Sequence, residues 1–283
     1  MKKISIASGK GGTGKTFLST NLFRTMESEG LNVAMVDCDA EVPNDAVFID
    51  RDRVVKWKTD VVKAVIDPEK CVYCGKCAEA CSFNAITCVP AAKYVKVMTD
   101  ICHGCGVCMY VCPQKAISEG SKSIGEVTGY GSEGHPVLFE ARTYEGQNTP
   151  VPVIRQAIRK AENARADYLL LDAPPGCSCP FVNTVMDADL VILITEPTPF
   201  GLSDLKHTVD VLRRLKKDFQ VVINRADIGD SRLKTYLKEE GIPLLAEIPY
   251  SEKIASSYAR GIVAVDENES MKELFRNLMK KII

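Results

Sequence analysis

The chain has 283 residues, 46% hydrophobic and 26% charged, which is enough to bury a large core and too apolar for a disordered chain. Its 36 basic residues balance 37 acidic ones, so no net field selects nucleic acid or an anionic membrane, and neither is expected as a partner. The longest apolar runs, such as residues 190–194, fall far short of the ~20 residues a membrane span needs, and no signal-peptide core follows Met1, so a cytoplasmic protein is expected.

In chain order, residues 3–8 read as a strand leading into a glycine-rich loop. Residues 16–29 follow as a helix, with Leu18, Leu22 and Met26 at fourfold spacing and Gly30 as its stop. Residues 33–36 form the next strand, ending at Asp37-Cys38-Asp39. The pattern breaks after Ile49. A turn-rich, cysteine-rich segment is expected over roughly 60–125, and the glycine- and threonine-rich stretch 125–148 is expected to return the chain through hairpins. Alternation then resumes, with helices over 153–164, 202–216 and 231–240 and strands over 168–171, 190–195, 221–223 and 244–248. Strands that are apolar throughout and alternate with helices predict an α/β fold with a mainly parallel sheet covered on both faces. Near the end, Met271, Leu274, Phe275, Leu278 and Ile282 have the spacing of an amphipathic helix followed through by Lys280 and Lys281. It is expected to pack on its own domain, the alternative being a membrane surface.

Gly9-Lys10-Gly11-Gly12-Thr13-Gly14-Lys15-Thr16 fits G-x-x-x-x-G-K-[ST] between a strand and a helix. Successive amides of such a turn form an anion nest at a helix N-terminus, Lys15 neutralises β- and γ-phosphates, and the Thr16 hydroxyl ligands Mg²⁺. Phe17 continues this nucleotide-binding segment. The same glycines also fit a dinucleotide fingerprint with Asp37 as the ribose acid, but that reading leaves Lys15, Thr16 and Asp172 without a role. Asp172 closes an apolar strand and opens Asp172-Ala173-Pro174-Pro175-Gly176, where a carboxylate can hold the Mg²⁺ shell and the stiff loop can sense the γ-phosphate.

The second lysine, Lys10, makes the loop resemble the deviant Walker A motif of the MinD/ParA and nitrogenase iron-protein class. That resemblance implies a homodimer with ATP at its interface, Lys10 reaching the phosphates of the partner subunit. It also implies that Asp39 positions or activates the attacking water, with Asp37 holding the loop, and that Asn224-Arg225 contact adenine, with Pro249-Tyr250 lining the base pocket or making a plain strand-exit turn.

Twelve cysteines in a cytoplasmic chain point to metal or redox chemistry. Cys71-x2-Cys74-x2-Cys77-x3-Cys81 recurs as Cys102-x2-Cys105-x2-Cys108-x3-Cys112, every cysteine 31 residues after its counterpart, and the offset continues from Ala85-Ile86 to Ala116-Ile117. The spacing is too tight for two zinc-type pairs. It resembles the bacterial two-cluster ferredoxin, although Ser82 stands where proline follows the second repeat. The resemblance implies one [4Fe–4S] cluster on Cys71, Cys74, Cys77 and Cys112 and another on Cys102, Cys105, Cys108 and Cys81. His103 is expected to tune a cluster by hydrogen bonding. His135 and His207 read as loop and helix-surface residues, and Cys88 and Cys38 as ordinary buried thiols. Cys177 and Cys179 either form a site bridging two subunits, as a similarly placed cysteine does in the nitrogenase iron protein, or merely pack a helix start.

Over its whole length the chain resembles MinD-superfamily P-loop ATPases with an inserted ferredoxin domain. That implies an ATPase unit in two parts, 1–58 and 126–283, around an insert at 59–125, re-entered near Val151-Pro152-Val153-Ile154. Three functions are then open: an ATP-driven electron-transfer protein with an unidentified redox partner, an iron–sulfur or metallocofactor assembly factor, and a membrane-positioning switch. The first is favoured, and ATP hydrolysis is expected to be weak without the partner.

Overall fold

The computed structural model describes residues 1–147 and 149–283; of the stretch expected to form hairpins, Asn148 lies outside the described residues. β1 (Lys2–Ala7) feeds α1 (Lys15–Ser28) and β2 (Val33–Asp37). There follow β3 (Arg53–Ile66), α2 (Lys76–Glu79), β4 (Ile86–Val89), β5 (Tyr94–Val97), α3 (Val107–Val111), β6 (Ile117–Ser132) and β7 (His135–Thr143). The remainder alternates: α4 (Val151–Glu162), β8 (Tyr168–Asp172), α5 (Cys179–Met186), β9 (Leu190–Thr195), α6 (Pro199–Arg214), β10 (Phe219–Asn224), α7 (Arg232–Glu239), β11 (Leu244–Ile248), α8 (Glu252–Ala259), α9 (Ala264–Glu267) and α10 (Glu269–Ile282).

These strands make one sheet in the order β11-β10-β9-β1-β8-β2-β7-β6-β3, parallel from β11 to β7 and antiparallel from there to β3. Side chains alternate across the central strands. Leu170, Ile4, Ile6, Ile192 and Val222 meet α1 and α10 on one face. Leu169 and Leu171 meet α4 on the other, and Val191 and Leu193 meet α5, α6 and α7. Strands buried on both faces are what a continuous apolar run in a parallel sheet requires.

The expectation of turns throughout 60–125 is corrected at both ends. β3 and β6 are long strands paired from Arg53↔Tyr130 to Ile66↔Ile117. In the middle of β3, Trp57, Thr59 and Val61 alternate with the exposed Lys56, Lys58 and Asp60, a two-residue period that the charged residues dilute in a hydropathy reading. Trp57 stacks on Phe139 and lies under the Lys160 ammonium. β6 pairs with β7 only from Gly125 onward. About seven residue pairs of the β3–β6 ribbon therefore project beyond the sheet, some 23 Å at ~3.3 Å per residue, and carry the cysteine repeats at their tip. A second small core forms there, from Ala64, Ile86 and Ile117 with the partly buried Val95 and Val97 of the β4–β5 hairpin.

The C-terminal amphipathic stretch is α10, and its apolar face is covered: Met271, Phe275, Leu278, Met279 and Ile282 are all buried in the core over α1. Phe275 meets Phe17 edge-on with ring centroids 6.0 Å apart. Replacing Phe275 with Ala should cost about 3–5 kcal/mol in urea unfolding, as expected for an aromatic deleted from a packed interior. A loss below about 1 kcal/mol would mean that α10 is not an integral layer of the fold.

Candidate functional site

The loop between β1 and α1 is held by contacts that dictate its glycines. A Cβ on Gly9 would stand 2.6 Å from the Asp204 carbonyl and 2.8 Å from the Thr208 hydroxyl, so only glycine lets α6 approach. Gly14 has φ +99°, and a Cβ there would lie 2.5 Å from Asn224 Nδ2. That amide instead donates to the Thr13 carbonyl at 2.9 Å. Asn224, expected at the adenine, is thus engaged in bracing the loop at the edge of the cleft. Gly11 and Gly12 have open space around them. The Lys10 carbonyl accepts from the Ser8 hydroxyl at 2.6 Å, and the Gly176 amide donates to the Ser8 carbonyl at 3.1 Å, which ties the loop after β8 to the glycine-rich loop.

The far side of the site is acidic. Asp172, at the end of β8, accepts from the Thr16 hydroxyl at 2.9 Å with one oxygen and from the Ser19 hydroxyl at 2.9 Å with the other. Asp37, fully buried beside it, accepts three backbone N–H groups, from Asp39, Asn44 and Asp45, at 3.0, 2.8 and 3.0 Å. It therefore holds the loop that follows β2. Burial and the charge of Asp172 nonetheless push its carboxyl up to about 8. Asp39 is half-buried, raised by burial and opposed by Lys15. The Lys15 side chain is nearly enclosed.

Two residues that sequence reasoning did not find complete the site. Asp45 is fully buried and its carboxyl oxygens meet no hydrogen-bond partner among the described residues; burial and the charges of Asp37 and Asp172 push it well above the usual carboxylate range. Tyr258 of α8 stacks on Phe48 at 4.6 Å, and its hydroxyl lies beside Thr16. Burial, then Asp172 and Asp45, push it up to about 12. Asp45 reads as a turn residue in sequence, and Tyr258 lies 242 positions from Thr16, so neither had a local signal.

Thr16 and Asp172 at hydrogen-bond distance, with the buried carboxyls of Asp37 and Asp45 behind them, fit a hydrated Mg²⁺ held next to the phosphates. Beyond Gly14 a cleft of about 210 Å³, open to solvent, is lined by Phe17, Asn224, Arg225, Pro249, Tyr250 and Tyr258, so Pro249-Tyr250 do face a pocket.

At the ribbon's tip the two cysteine repeats share their backbone shape as well as their spacing. Positive φ recurs at Tyr73 and Gly104, Gly75 and Gly106, and Asn84 and Lys115, each pair 31 residues apart. Two cavities result. The first is lined by Cys71, Cys74, Cys77 and Cys112, and the second by Cys102, Cys105, Cys108 and Cys81. In each, the fourth cysteine comes from the other repeat. Amides of Tyr73, Ala85 and Ala116 point at the sulfurs of Cys71, Cys81 and Cys112 at 3.3–3.4 Å. No three His, Cys, Asp or Glu side chains among the described residues converge on a single metal ion.

Two expectations need correction here. Cys88 is not an ordinary buried thiol: it is half-buried and lines the first cavity. His103 stacks on Phe83, ring centroids 3.8 Å apart, in the wall of the second cavity. His135 opens β7 instead of lying in a loop. Cys38 is fully buried, its thiol pushed up by burial. Cys177 is half-buried with Sγ 3.4 Å from the Thr208 hydroxyl, and the exposed Cys179 begins α5. His207 is an exposed residue of α6.

This geometry is that of a P-loop nucleotide-binding protein. The chain belongs to the CobQ/CobB/MinD/ParA nucleotide binding domain family, whose description matches residues 4–265. It is 27% identical to an uncharacterized protein of Methanocaldococcus jannaschii over 99% of this chain and 96% of that one. It is 21% identical to an iron-sulfur cluster carrier protein of Pyrococcus horikoshii, over 99% and 85% respectively. The fold is also that of the septum site-determining protein MinD complexed with Mg-ADP from Pyrococcus horikoshii, with TM-score 0.57 and 20% identity, covering 99% of this chain and 95% of that one.

The raised carboxyls set a pH dependence. From about pH 4 the folded state keeps a proton on Asp37, up to about pH 8, and on the likewise raised Asp45, that the unfolded chain has released, so these groups make stability fall as pH rises. Asp45→Asn mimics the protonated form. Its Tm should exceed that of the parent by at least ~2 °C at pH 8 and match it near pH 4. A Tm difference independent of pH would show that Asp45 is ionised in the folded state.

Proposed function

We propose that the chain is an ATP-hydrolysing iron–sulfur protein that works as a homodimer, with nucleotide state governing electron transfer through two [4Fe–4S] clusters to a redox partner. The observation that carries this reading is the pair of four-thiol cavities with exchanged fourth cysteines. In a cubane each thiolate takes a different iron, so ligands ring a volume and need not converge on a point, unlike those of a zinc site. The residues present fit such groups: Cys71, Cys74, Cys77 and Cys112 would hold one, and Cys102, Cys105, Cys108 and Cys81 the other. Each would supply a one-electron store. The insert then occupies 59–125 between ATPase segments 1–58 and 126–283, with β3 and β6 shared across both boundaries.

In the ATPase part, Lys15 and the amides of residues 9–14 grip the phosphates, and Thr16 and Asp172 hold Mg²⁺. Asp39 orients the attacking water, and Lys10 reaches the partner subunit's nucleotide. The loop bearing Asp39 has a direct link toward the cysteines. The Ala40 carbonyl accepts from the Thr143 amide at 2.8 Å, at the end of β7, which pairs with β6 at the root of the ribbon. Movement of that loop on hydrolysis would thus load the ribbon.

A second reading, an iron–sulfur carrier, is favoured by the likeness to the iron-sulfur cluster carrier protein of Pyrococcus horikoshii. There Cys177 and Cys179 of two subunits would hold exchangeable metal, and Cys179→Ala would lose transferable iron while keeping the rest.

Protein prepared anaerobically should contain about eight irons per chain and dimerise with Mg-ATP. Lys15→Ala should lower ATP hydrolysis at least ~100-fold while keeping the iron. Stopped-flow reduction of an acceptor should require hydrolysable ATP; equal rates without nucleotide would favour the carrier, and colourless, iron-free protein would end both readings.

A further inference from the structure

Five thiols, not four, line the first cavity. Cys88 lies on β4, two residues after the buried Ile86 and so on the same side of the strand. Its Sγ is 3.8 Å from the carbonyl of Tyr73, in the turn between Cys71 and Cys74. It pairs with Val95 across the hairpin and stands at the margin of the small core around Ile86 and Ile117, where that core meets the cavity. Cys77 shares that core with Ile86, and α2, which bears Cys77, packs on β4, so Cys77 is the ligand that faces the strand carrying Cys88. The feature also breaks the duplication. Thirty-one residues on stands the exposed Glu119 of β6, and the second cavity has the stacked Phe83 and His103 in its wall and no fifth thiol among the described residues.

We infer that Cys88 is a reserve ligand of the first cavity, able to take the iron held by Cys77. The inference rests on the reading that this cavity holds a [4Fe–4S] cluster. In the exchange an iron–sulfur bond to Cys77 breaks and one to Cys88 forms. The Cys88 thiol proton passes to the released Cys77 thiolate, and no oxidation state changes. One of the two clusters is thereby able to shift ligand without losing iron, and the other is not.

The repeat provides its own control. Full-length Cys77→Ala, Cys108→Ala, Cys88→Ala and Cys77→Ala/Cys88→Ala chains are prepared anaerobically, with nucleotide binding as the check on folding, and compared by iron and sulfide content and by EPR after dithionite. Cys88→Ala should keep the parental iron, and Cys77→Ala should keep it with an altered EPR signal. Cys108→Ala and the double variant should each lose iron. Equal losses in Cys77→Ala and Cys108→Ala, or full iron in the double variant, would overturn the inference while leaving the two-cluster reading intact. Iron-free parental protein would overturn that reading and this inference with it. Should Cys77→Ala fail to fold, Cys77→Ser repeats the test: its EPR spectrum changes on adding Cys88→Ala if Cys88 is a ligand, and stays the same if it is not.

Discussion

The ATPase half of the molecule depends on one carboxylate, Asp172, receiving two hydroxyls from the first turns of α1. Thr16 and Ser19 both donate to it, and this fixes the distance between the helix that begins at the phosphate loop and the strand end that faces it. The cost is a crowded acidic interior, since Asp37 and Asp45 are buried within reach of the same charge. Three buried carboxyls cannot all ionise without a compensating cation, and Lys15 offers one positive charge. A site so built holds protons on buried carboxyls, and an added positive charge would let them ionise, which ties cation binding to the electrostatics of the fold.

The cysteine-bearing tip follows a different logic. It has little apolar core of its own, the buried Ala64, Ala85, Ile86, Ala116 and Ile117 with Cys77, and much of its interior is thiol. Units this small seldom fold on hydrophobic burial alone and are commonly held by disulfides or metals. The duplicated backbone, with its matched positive-φ residues, brings sulfurs from both repeats to each cavity, so neither half is complete without the other.

What could be read from sequence was what is local. Residues 9–16, the double cysteine run and the alternation after Pro150 each carry their signal within a few residues, and strand and helix limits there differ from the structure by only a few positions. The acid at the end of β8 was legible because an apolar run pointed to it. Asp45 and Tyr258 were not, because their roles arise from burial beside Thr16 and Asp172, contacts between segments far apart in the chain. β3 was missed for a related reason. Its lysines alternate with Trp57, Thr59 and Val61, and half the strand looks like polar loop until its partner is known. Cys88 looked ordinary because it falls outside the repeat, and that asymmetry is visible only once the cavities are compared.

β3 is also the outermost strand of the sheet. A flat fourteen-residue edge is a template for unwanted strand addition by another chain. Here register shifts interrupt it near Val55 and Asp60, Lys56, Lys58 and Val62 lie exposed along it, and the Gln156 amide caps the Lys58 carbonyl at 3.0 Å. The flank of the arm is therefore guarded against polymerisation by charge and irregularity, so the length that carries the cysteines outward does not also recruit further strands.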